Sequence, residues 1–405
     1  YEEVQAQHGR HYLTKMTQWA RALQGPEQKA TVAEISLEIA NARLAWRWLL
    51  EHQNWADLIS PLQACCLFYE WYIRYEEALD LCHSVLASIK TSLNGNAQSR
   101  RQSVPQSRTL QIHAEAWSAR FRHLLGDREA AEAILEGALA LIADTHERTP
   151  ALLAGHAFTL ERLGDVAAVH DRDVALDLYQ SALLRYQEAG DVWGTANAYY
   201  DLATVGHQTS HYEQSRQWYE RSLELYRELG DQHGISEALI WLGFSAVRQG
   251  DADYGISLLK EGVEARRKAG DREGLGVATY NLGEALIWTG HFEESEEMII
   301  EGLTICRDLG VRYHAAYASV YLACVQAFQG HYDEARRQLE LGASLARAGN
   351  FLREVAFAQF IDAGVALAQH RFPEALELAQ ASMKVYREIN QRDELSWAQG
   401  AAATA

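Results

Sequence analysis

One pattern recurs between residues 190 and 350 at a constant spacing of 40 residues. Each step opens on a glycine, at Gly190-Asp191, Gly230-Asp231, Gly270-Asp271 and Gly310-Val311, and a second glycine marks the middle of a step, at Gly250, Gly290 and Gly330. Between these marks apolar residues recur three or four apart, as at Leu223, Tyr226 and Leu229, which indicates helices. A fixed period of this size predicts an all-α solenoid, in which each helix–turn–helix unit buries its apolar face by stacking on the next unit.

The turns carry residues that suit helix ends. The glycines at 190, 230, 270, 310 and 349 suit the left-handed residue that terminates a helix. Asp191, Asp231 and Asp271 suit the N-cap of the helix that follows. Each second helix also carries two small residues seven apart, such as Gly255 and Gly262, which return to nearly the same face and allow a neighbouring helix to approach closely.

Charge and cysteine content narrow the range of functions. The 405 residues carry 37 basic and 55 acidic side chains, a net charge of −18, which disfavours direct binding to nucleic acid because phosphate contacts need Lys and Arg. The five cysteines show no C-x-x-C spacing, so we expect free thiols in a cytoplasmic protein. No apolar run reaches 18 residues, and therefore no membrane span is predicted.

The chain divides by its repeat pattern. Residues 1–56 are predicted to form a helical lead-in that caps the stack, and residues 57–405 a superhelix of about eight helix pairs. The polar segment 91–108, which contains Pro105, is predicted to be a mobile loop, with a phosphorylated or protease-sensitive loop as the alternative. Residues 391–405 resemble the opening of a further, truncated helix, so we expect this chain to be a piece of a longer polypeptide.

The repeat resembles the tetratricopeptide repeat (TPR). The Leu-Gly pair of that motif occurs as Leu242-Gly243 and Leu282-Gly283, and nearly so as Leu202-Ala203 and Leu322-Ala323. The sequence departs from the family in ending each unit on Gly-Asp rather than proline and in its longer period of 40 residues. This longer form resembles the sensor region of large bacterial STAND-class signalling ATPases, many of which regulate transcription.

The lead-in supports the second resemblance. The stretch from Gly25-Pro26 through Trp46 to Leu50 is similar to the segment that these ATPases carry between their winged helix and their repeats, although Ala40 stands where the family often has aspartate. The resemblance implies an ATPase module in the same full-length chain. It also implies that the first helix of each unit lines a concave groove.

No motif for catalysis, for a cofactor or for a metal is present. The sequence lacks a G-x-x-x-x-G-K-[ST] loop, an H-E-x-x-H pair and a G-x-S-x-G elbow. His211, His291 and His331 recur at one repeat position, which is typical of turn residues, whereas a metal site needs ligands that converge on one ion. We therefore expect neither an enzyme nor a cofactor.

Alignment on the Leu-Gly pair predicts which side chains face the groove. They are Asn197, Tyr200, Thr204 and His207; Glu237, Ile240, Phe244 and Arg248; Val277, Tyr280, Glu284 and Trp288; Tyr317, Val320 and Phe328; and Phe357 and Phe360. The candidate ligand contacts among them are Tyr200, His207, Phe244, Arg248, Tyr280, Glu284, Trp288 and Phe328. Aromatic and Arg side chains exposed on a concave face favour binding of a protein, a peptide or a small inducer, whereas the alternative is that several pack against the next helix.

Two functions are consistent with these features. The first is a sensor or regulatory module that binds a partner or inducer in the groove and controls an ATPase. The second is a stand-alone scaffold that assembles proteins without switching anything. The groove lacks the paired Lys and Asn residues with which chaperone-binding TPR domains hold a terminal carboxylate, which argues against a chaperone cofactor.

Overall fold

The computed structural model describes residues 2–52, 55–93, 97–209, 211–389 and 391–405. Within these residues the secondary structure consists of nineteen α-helices and one short 3-10 helix, Trp55–Leu58, without any strand, which confirms the all-α solenoid. In unit order the first eleven helices are α1 Glu2–Ala22, α2 Gln28–His52, α3 Ile59–Trp71, α4 Tyr75–Leu93, α5 Ala97–Leu124, α6 Arg128–Ala143, α7 Pro150–Ala167, α8 Arg172–Ala189, α9 Val192–Gln208, α10 Tyr212–Leu229 and α11 Gln232–Arg248. The remaining helices are α12 Ala252–Ala269, α13 Arg272–Trp288, α14 Phe292–Asp308, α15 Arg312–Phe328, α16 Tyr332–Ala348, α17 Leu352–Ala368, α18 Phe372–Glu388 and α19 Arg392–Thr404.

The chain forms two compact units, which we call unit 1 (Tyr1–Trp241) and unit 2 (Leu242–Ala405). In unit 1 the lead-in helices share one hydrophobic core with α3 to α5, since Met16 and Leu49 are buried in the same cluster as Leu62 and Phe68. The helix pairs α7/α8 and α9/α10 follow, and in unit 2 the pairs α13/α14, α15/α16 and α17/α18 pack in the same way. The sequence-based division at residue 56 stays a prediction.

The polar segment 91–108 is where the sequence prediction was wrong. Helix α4 continues to Leu93 and α5 begins at Ala97, so residues 97–108 are helical, while residues 94–96 lie outside the described part of the chain. The segment is rich in Gln and Arg, which are good helix formers, and its polarity alone therefore did not identify a loop.

Helix ends follow the predicted turn chemistry with one exception. Gly190, Gly230 and Gly270 have φ values of 71°, 76° and 73°, and the side chains of Asp191 and Asp271 each accept a hydrogen bond of 2.8 Å from the backbone three residues on. Gly349 was predicted to be left-handed, but its φ is −96° and the left-handed residue is Asn350 at 57°. Asparagine tolerates that conformation better than most residues, so the turn shifts by one position.

The small residues of the second helices lie where two helices of one pair touch. A Cβ atom added to Gly255 would come within 2.6 Å of the carbonyl oxygen of Gly243, and one added to Gly302 within 2.6 Å of that of Gly276. Ser295 takes this place in α14, and its hydroxyl donates to the carbonyl oxygen of Gly283 on the first helix at 2.7 Å. Both arrangements bring the helices of a pair into close contact.

None of the described helices has the length and apolarity that a transmembrane segment requires.

Candidate binding face on the first helices

The first helices of neighbouring pairs lie against one another. In unit 2, α13 contacts α15, α15 contacts α17 and α17 contacts α19, and in unit 1 α5 contacts α7 and α7 contacts α9. Among the described helices from α6 onwards, the second helices make no contact of this extent with each other. The first helices therefore form the closely spaced, concave side of each unit, and their outward-facing positions there form the candidate binding face.

Two aromatic side chains of unit 2 are exposed on this face. Trp288 is 71% exposed and Phe328 is 61% exposed, and they occupy equivalent positions at the ends of α13 and α15. The ring of Phe292 stacks on that of Phe328, with 5.4 Å between centroids. Large apolar side chains exposed side by side are a common feature of interaction sites.

Tyr280 was predicted to face the groove, but in the structure it is buried. It is only 3% exposed, its hydroxyl lies 2.9 Å from Nδ1 of His314, and its ring lies 5.5 Å from that of Tyr317. Val320 and Ile240, at the same repeat position, are also buried. The helix of the adjacent repeat packs on this position, so its side chains belong to the core rather than to a ligand contact.

Glu284 is the carboxylate at the centre of the unit 2 face. It is half-buried, and it accepts a hydrogen bond of 2.8 Å from the hydroxyl of Tyr321, which lies 3.2 Å from the hydroxyl of Tyr317. Burial raises the pKa of Glu284 to about 7, because the hydrogen bond from Tyr321 and the more distant Arg353 and Arg248 offset only part of the cost of desolvation. This side chain can therefore change its charge near neutral pH.

The rings around Glu284 form a continuous cluster across α15 and α17. The ring centroid of Phe357 lies 5.3 Å from that of Tyr321 and 6.3 Å from that of Tyr317. The ring centroids of Tyr321 and Tyr317 are 4.8 Å apart. Sequence reasoning had named Tyr317 and Phe357 but missed Tyr321, which precedes the leucine of its repeat. Tyr321 follows Tyr317 by four residues, one turn further along α15, and this spacing was the available signal.

The predicted residues Phe244 and Arg248 lie at the end of α11 in unit 2. Arg248 is exposed, and Phe244 is half-buried. The electrostatic effect of Arg248 reaches Glu284, since it lowers the pKa of that carboxyl. The structure therefore relates Arg248 to the same face as Glu284, although their role as ligand contacts stays a proposal.

In unit 1 the predicted residues Tyr200 and His207 are both half-buried. The hydroxyl of Tyr200 donates to Glu237 at 3.0 Å, and its ring lies 5.9 Å from that of Tyr219. The ring of His207 meets that of Tyr212 edge-on at 5.3 Å. Both side chains thus contact neighbouring helices, as the alternative interpretation of the aromatic row expected for some of its members.

A network of charged side chains lies on the first helices of unit 1. Arg120 bonds Glu70 at 2.8 Å and Asp165 at 3.0 Å, and Arg162 bonds Asp165 at 2.8 Å. Arg162 also contacts Glu161 and lies 3.7 Å from Asp201. We call these six residues the charged network. Sequence patterns did not predict this network, because its members come from four helices and no short motif joins them.

Carboxylates outnumber arginines in the charged network by four to two. Burial raises the pKa of Asp201 well above its ordinary value, and the neighbouring charges of Glu161 and Asp165 raise it further, against the opposing effect of Arg162. Burial likewise raises the pKa of Glu161, which also accepts a hydrogen bond from Tyr186. Each arginine thus lies close to more than one carboxylate, and the two positive charges are shared among four acidic groups.

The described residues show no arrangement for metal chemistry. Across this part of the chain no three His, Cys, Asp or Glu side chains are placed to hold an ion. His211, His291 and His331 precede the first residues of α10, α14 and α16, as turn residues should, and Nδ1 of His291 lies 3.0 Å from the hydroxyl of Thr289.

Comparison with known proteins identifies the repeat. The sequence model of the tetratricopeptide repeat matches residues 156–228, which span most of α7 to α10. The chain contains tetratricopeptide repeats. No curated protein matches its sequence.

Solved structures with this fold include signalling proteins. A Rap protein complexed with competence and sporulation factor shares 13% identity and a TM-score of 0.56, over 82% of this chain and 95% of that one. The quorum sensor NprR from B. thuringiensis, in its apo form, shares 11% identity and a TM-score of 0.55, over 84% and 96%. A STAND protein with a tetratricopeptide repeat sensor from Pyrococcus horikoshii shares 12% identity and a TM-score of 0.57, over 93% of this chain and 55% of that one. At such identities the likeness concerns the fold.

Proposed function

We propose that this chain is the sensor module of a STAND-type signalling ATPase, located in the cytoplasm, and that it binds a protein, a peptide or a small inducer on the concave face of its first helices. The tetratricopeptide repeats and the likeness to the Pyrococcus horikoshii sensor support the proposal. The Rap protein, complexed with competence and sporulation factor, and the quorum sensor NprR lend further support from the same fold.

The observation that carries the proposal is the exposure of Trp288 and Phe328 at equivalent ends of α13 and α15, with Trp288 close to Glu284. In most of the fold large rings are buried, yet these two are exposed, and Trp288 lies close to the half-buried carboxylate of Glu284. Covering them with a ligand removes apolar surface from water, and Glu284 and Arg248 supply polar contacts that select its orientation. Such a combination of aromatic anchors with few polar groups is typical of ligand sites.

The binding role is tested with binders selected against the purified chain. Displayed peptides, a metabolite set and soluble proteins are screened, and the Kd of each binder is measured by calorimetry for the parent, Trp288→Ala and Phe328→Ala. Each change is expected to weaken binding about 30-fold, since truncation of an aromatic anchor costs about 2 kcal/mol. Phe372→Ala is the matched control, because this exposed phenylalanine begins a second helix of the same unit. Unchanged Kd values for both groove variants in every folded preparation would rule out this face.

The ATPase role is tested at the level of the whole gene product. We expect the reading frame upstream of Tyr1 to encode a P-loop ATPase, and we expect a groove binder to change the rate of ATP hydrolysis by the full-length protein. A binder that occupies the groove with no effect on that rate would favour the alternative function, a scaffold that assembles proteins.

A further inference from the structure

The turn between α1 and α2 contacts the turn between α10 and α11, about 200 residues further along the chain. Gln28 lies at the centre of this contact and is only 3% exposed. Its Nε2 donates to the carbonyl oxygen of Leu23 at 2.8 Å and to Oδ1 of Asp231 at 2.6 Å. Its Oε1 accepts a hydrogen bond of 3.1 Å from the backbone N–H of His233. One side chain thus bonds three groups from two distant turns.

Asp231 is the partner that makes this contact unusual. Like Asp191 and Asp271 it caps a helix, because Oδ1 accepts from the backbone N–H of Gly234 at 2.9 Å. In addition, Oδ2 accepts from Nε1 of Trp193 at 2.9 Å, and Oδ1 accepts from Gln28. This carboxylate therefore joins α9, α11 and the lead-in, and it is only 3% exposed.

Small and ring side chains complete the contact. Pro26 lies so close to Gly230 that a Cβ atom on that glycine would come within 3.1 Å of the proline ring. The rings of Trp71 and His233 stack with 5.3 Å between centroids and 20° between planes. We call residues 23–28 and 229–234, with Trp71 and Trp193, the closing contact.

The closing contact differs in kind from the packing between repeats. Repeats in a solenoid contact their neighbours, whereas Gln28 and Asp231 are 203 residues apart. Curvature of the intervening first helices brings them together, so unit 1 closes upon itself. Its chemistry also differs, since hydrogen bonds and ring contacts replace the interleaved aliphatic side chains that hold adjacent helices. Separation would break these hydrogen bonds and uncover the few rings of the contact, among them Trp193, which packs against the core of α1 to α5.

We propose that the closing contact is a lock, which opens by small rotations between the repeats of unit 1 while the helices on both sides stay folded. The moving parts are the block of α1 to α5, which shares one core, and the block of α9, α10 and the start of α11. In the sensor, and here the inference rests on the proposed function, opening of the lock is the motion that relays occupancy of the repeats to the lead-in. The lock itself is testable on this chain alone, without any ligand.

Two pairs of variants test the lock. Asp231→Ala removes both a helix cap and the closing bonds, whereas Asp191→Ala removes an equivalent cap that has no partner in the lead-in. Gln28→Ala removes the three hydrogen bonds of Gln28 and leaves the Asp231 cap on Gly234 in place, and its control is the exposed neighbour Lys29→Ala. Amide hydrogen exchange is followed by mass spectrometry, and the radius of gyration is measured by small-angle X-ray scattering.

We expect Gln28→Ala and Asp231→Ala to speed amide hydrogen exchange about tenfold in residues 22–30 and 229–236, because this is the change that loss of a buried hydrogen bond to a carboxylate produces. We also expect both variants to increase the radius of gyration. Helicity measured by circular dichroism stays at the parent value. The controls leave residues 22–30 unaffected. The proposal is overturned if Gln28→Ala exchanges like Lys29→Ala, or if protection falls equally throughout residues 1–241, because the contact would then be either inert or an inseparable part of the folded core.

Discussion

In unit 1 the concave side carries Arg162 and Asp201, and in unit 2 it carries Tyr321, although all three residues precede the leucine of their repeat. The unit 1 residues are bound to one another in the charged network. In unit 2, Tyr321 instead bonds Glu284, and the rings of Trp288 and Phe328 remain exposed. The position before the leucine thus carries bonded charges in unit 1 and a buried tyrosine in unit 2, and the exposed rings of unit 2 lie six residues after the leucines of their repeats.

This difference shows what a repeat does and does not determine. The repeat fixes which positions face the concave side, because these follow from the helical period and from the Leu-Gly register. The side chains at those positions then determine whether the groups on the face bond one another or remain open to a ligand. A network that already pairs its arginines offers few polar groups to a ligand, whereas exposed rings gain free energy when a ligand covers them.

The largest effect is expected from breaking the charged network. Arg162→Met leaves Glu161, Asp165 and Asp201 without their shared cation, and loss of one partner from a buried ion cluster costs about 3–5 kcal/mol. The loss in the free energy of unfolding is measured by urea unfolding, monitored through hydrogen exchange of peptides from unit 1. Arg185→Ala, which breaks an ion pair with Glu188 on α8 that is open to solvent, is the control and should cost about 1 kcal/mol or less. A loss below about 1 kcal/mol for Arg162→Met would mean that the network is not a structural device.

A pH-dependent effect is expected from Glu284. Its pKa rises from an ordinary value near 4.5 to about 7 in the folded protein, so between these pH values the native state holds a proton that the unfolded state has released. The free energy of unfolding therefore falls as pH rises through this window, by up to about 3 kcal/mol, and levels off above pH 7. Glu284→Gln should remove this slope in urea unfolding measured between pH 4.5 and 8. The exposed Glu297→Gln on α14 is the control, and an equal slope in the parent and in Glu284→Gln would contradict the assignment.

The smallest effect on stability is expected from Trp288→Ala. A side chain that is 71% exposed contributes little to the core, so the free energy of unfolding should change by about 0.5 kcal/mol or less. The buried Tyr280→Ala on the same helix should instead cost about 3–5 kcal/mol. Thermal unfolding of both variants sharpens the contrast between a surface held for a ligand and the core beneath it. A large loss for Trp288→Ala would show that this ring is structural.

The sequence predicted the helices well because each helix carries its own boundary signals. Gly230 and Asp231 end one helix and cap the next through contacts that lie within a few residues, so local pattern sufficed. The helical state of residues 97–108 was missed, since a polar composition is compatible with both a loop and a helix.

The binding face was predicted less completely, because burial depends on neighbours that the sequence does not place. Register alone put Tyr280 and Trp288 on one row, yet the next repeat covers the first and leaves the second exposed. Likewise, nothing near Asp231 in the sequence indicated that Gln28 bonds to it. Contacts between residues that are distant along the chain require the curvature of the stack, and periodicity does not specify curvature.

The backbone contacts at Gly243/Gly255 and Gly276/Gly302 have a mechanical consequence. Two helices whose backbones touch cannot slide past each other or tilt without a clash, so these two pairs behave as stiff links. Elastic compliance must then reside in the joints between links, where side chains rather than backbones meet. A ligand that draws Trp288 and Phe328 together would bend the stack of helix pairs at that joint. Small angles added over successive joints would displace the last helix pair by a much larger distance.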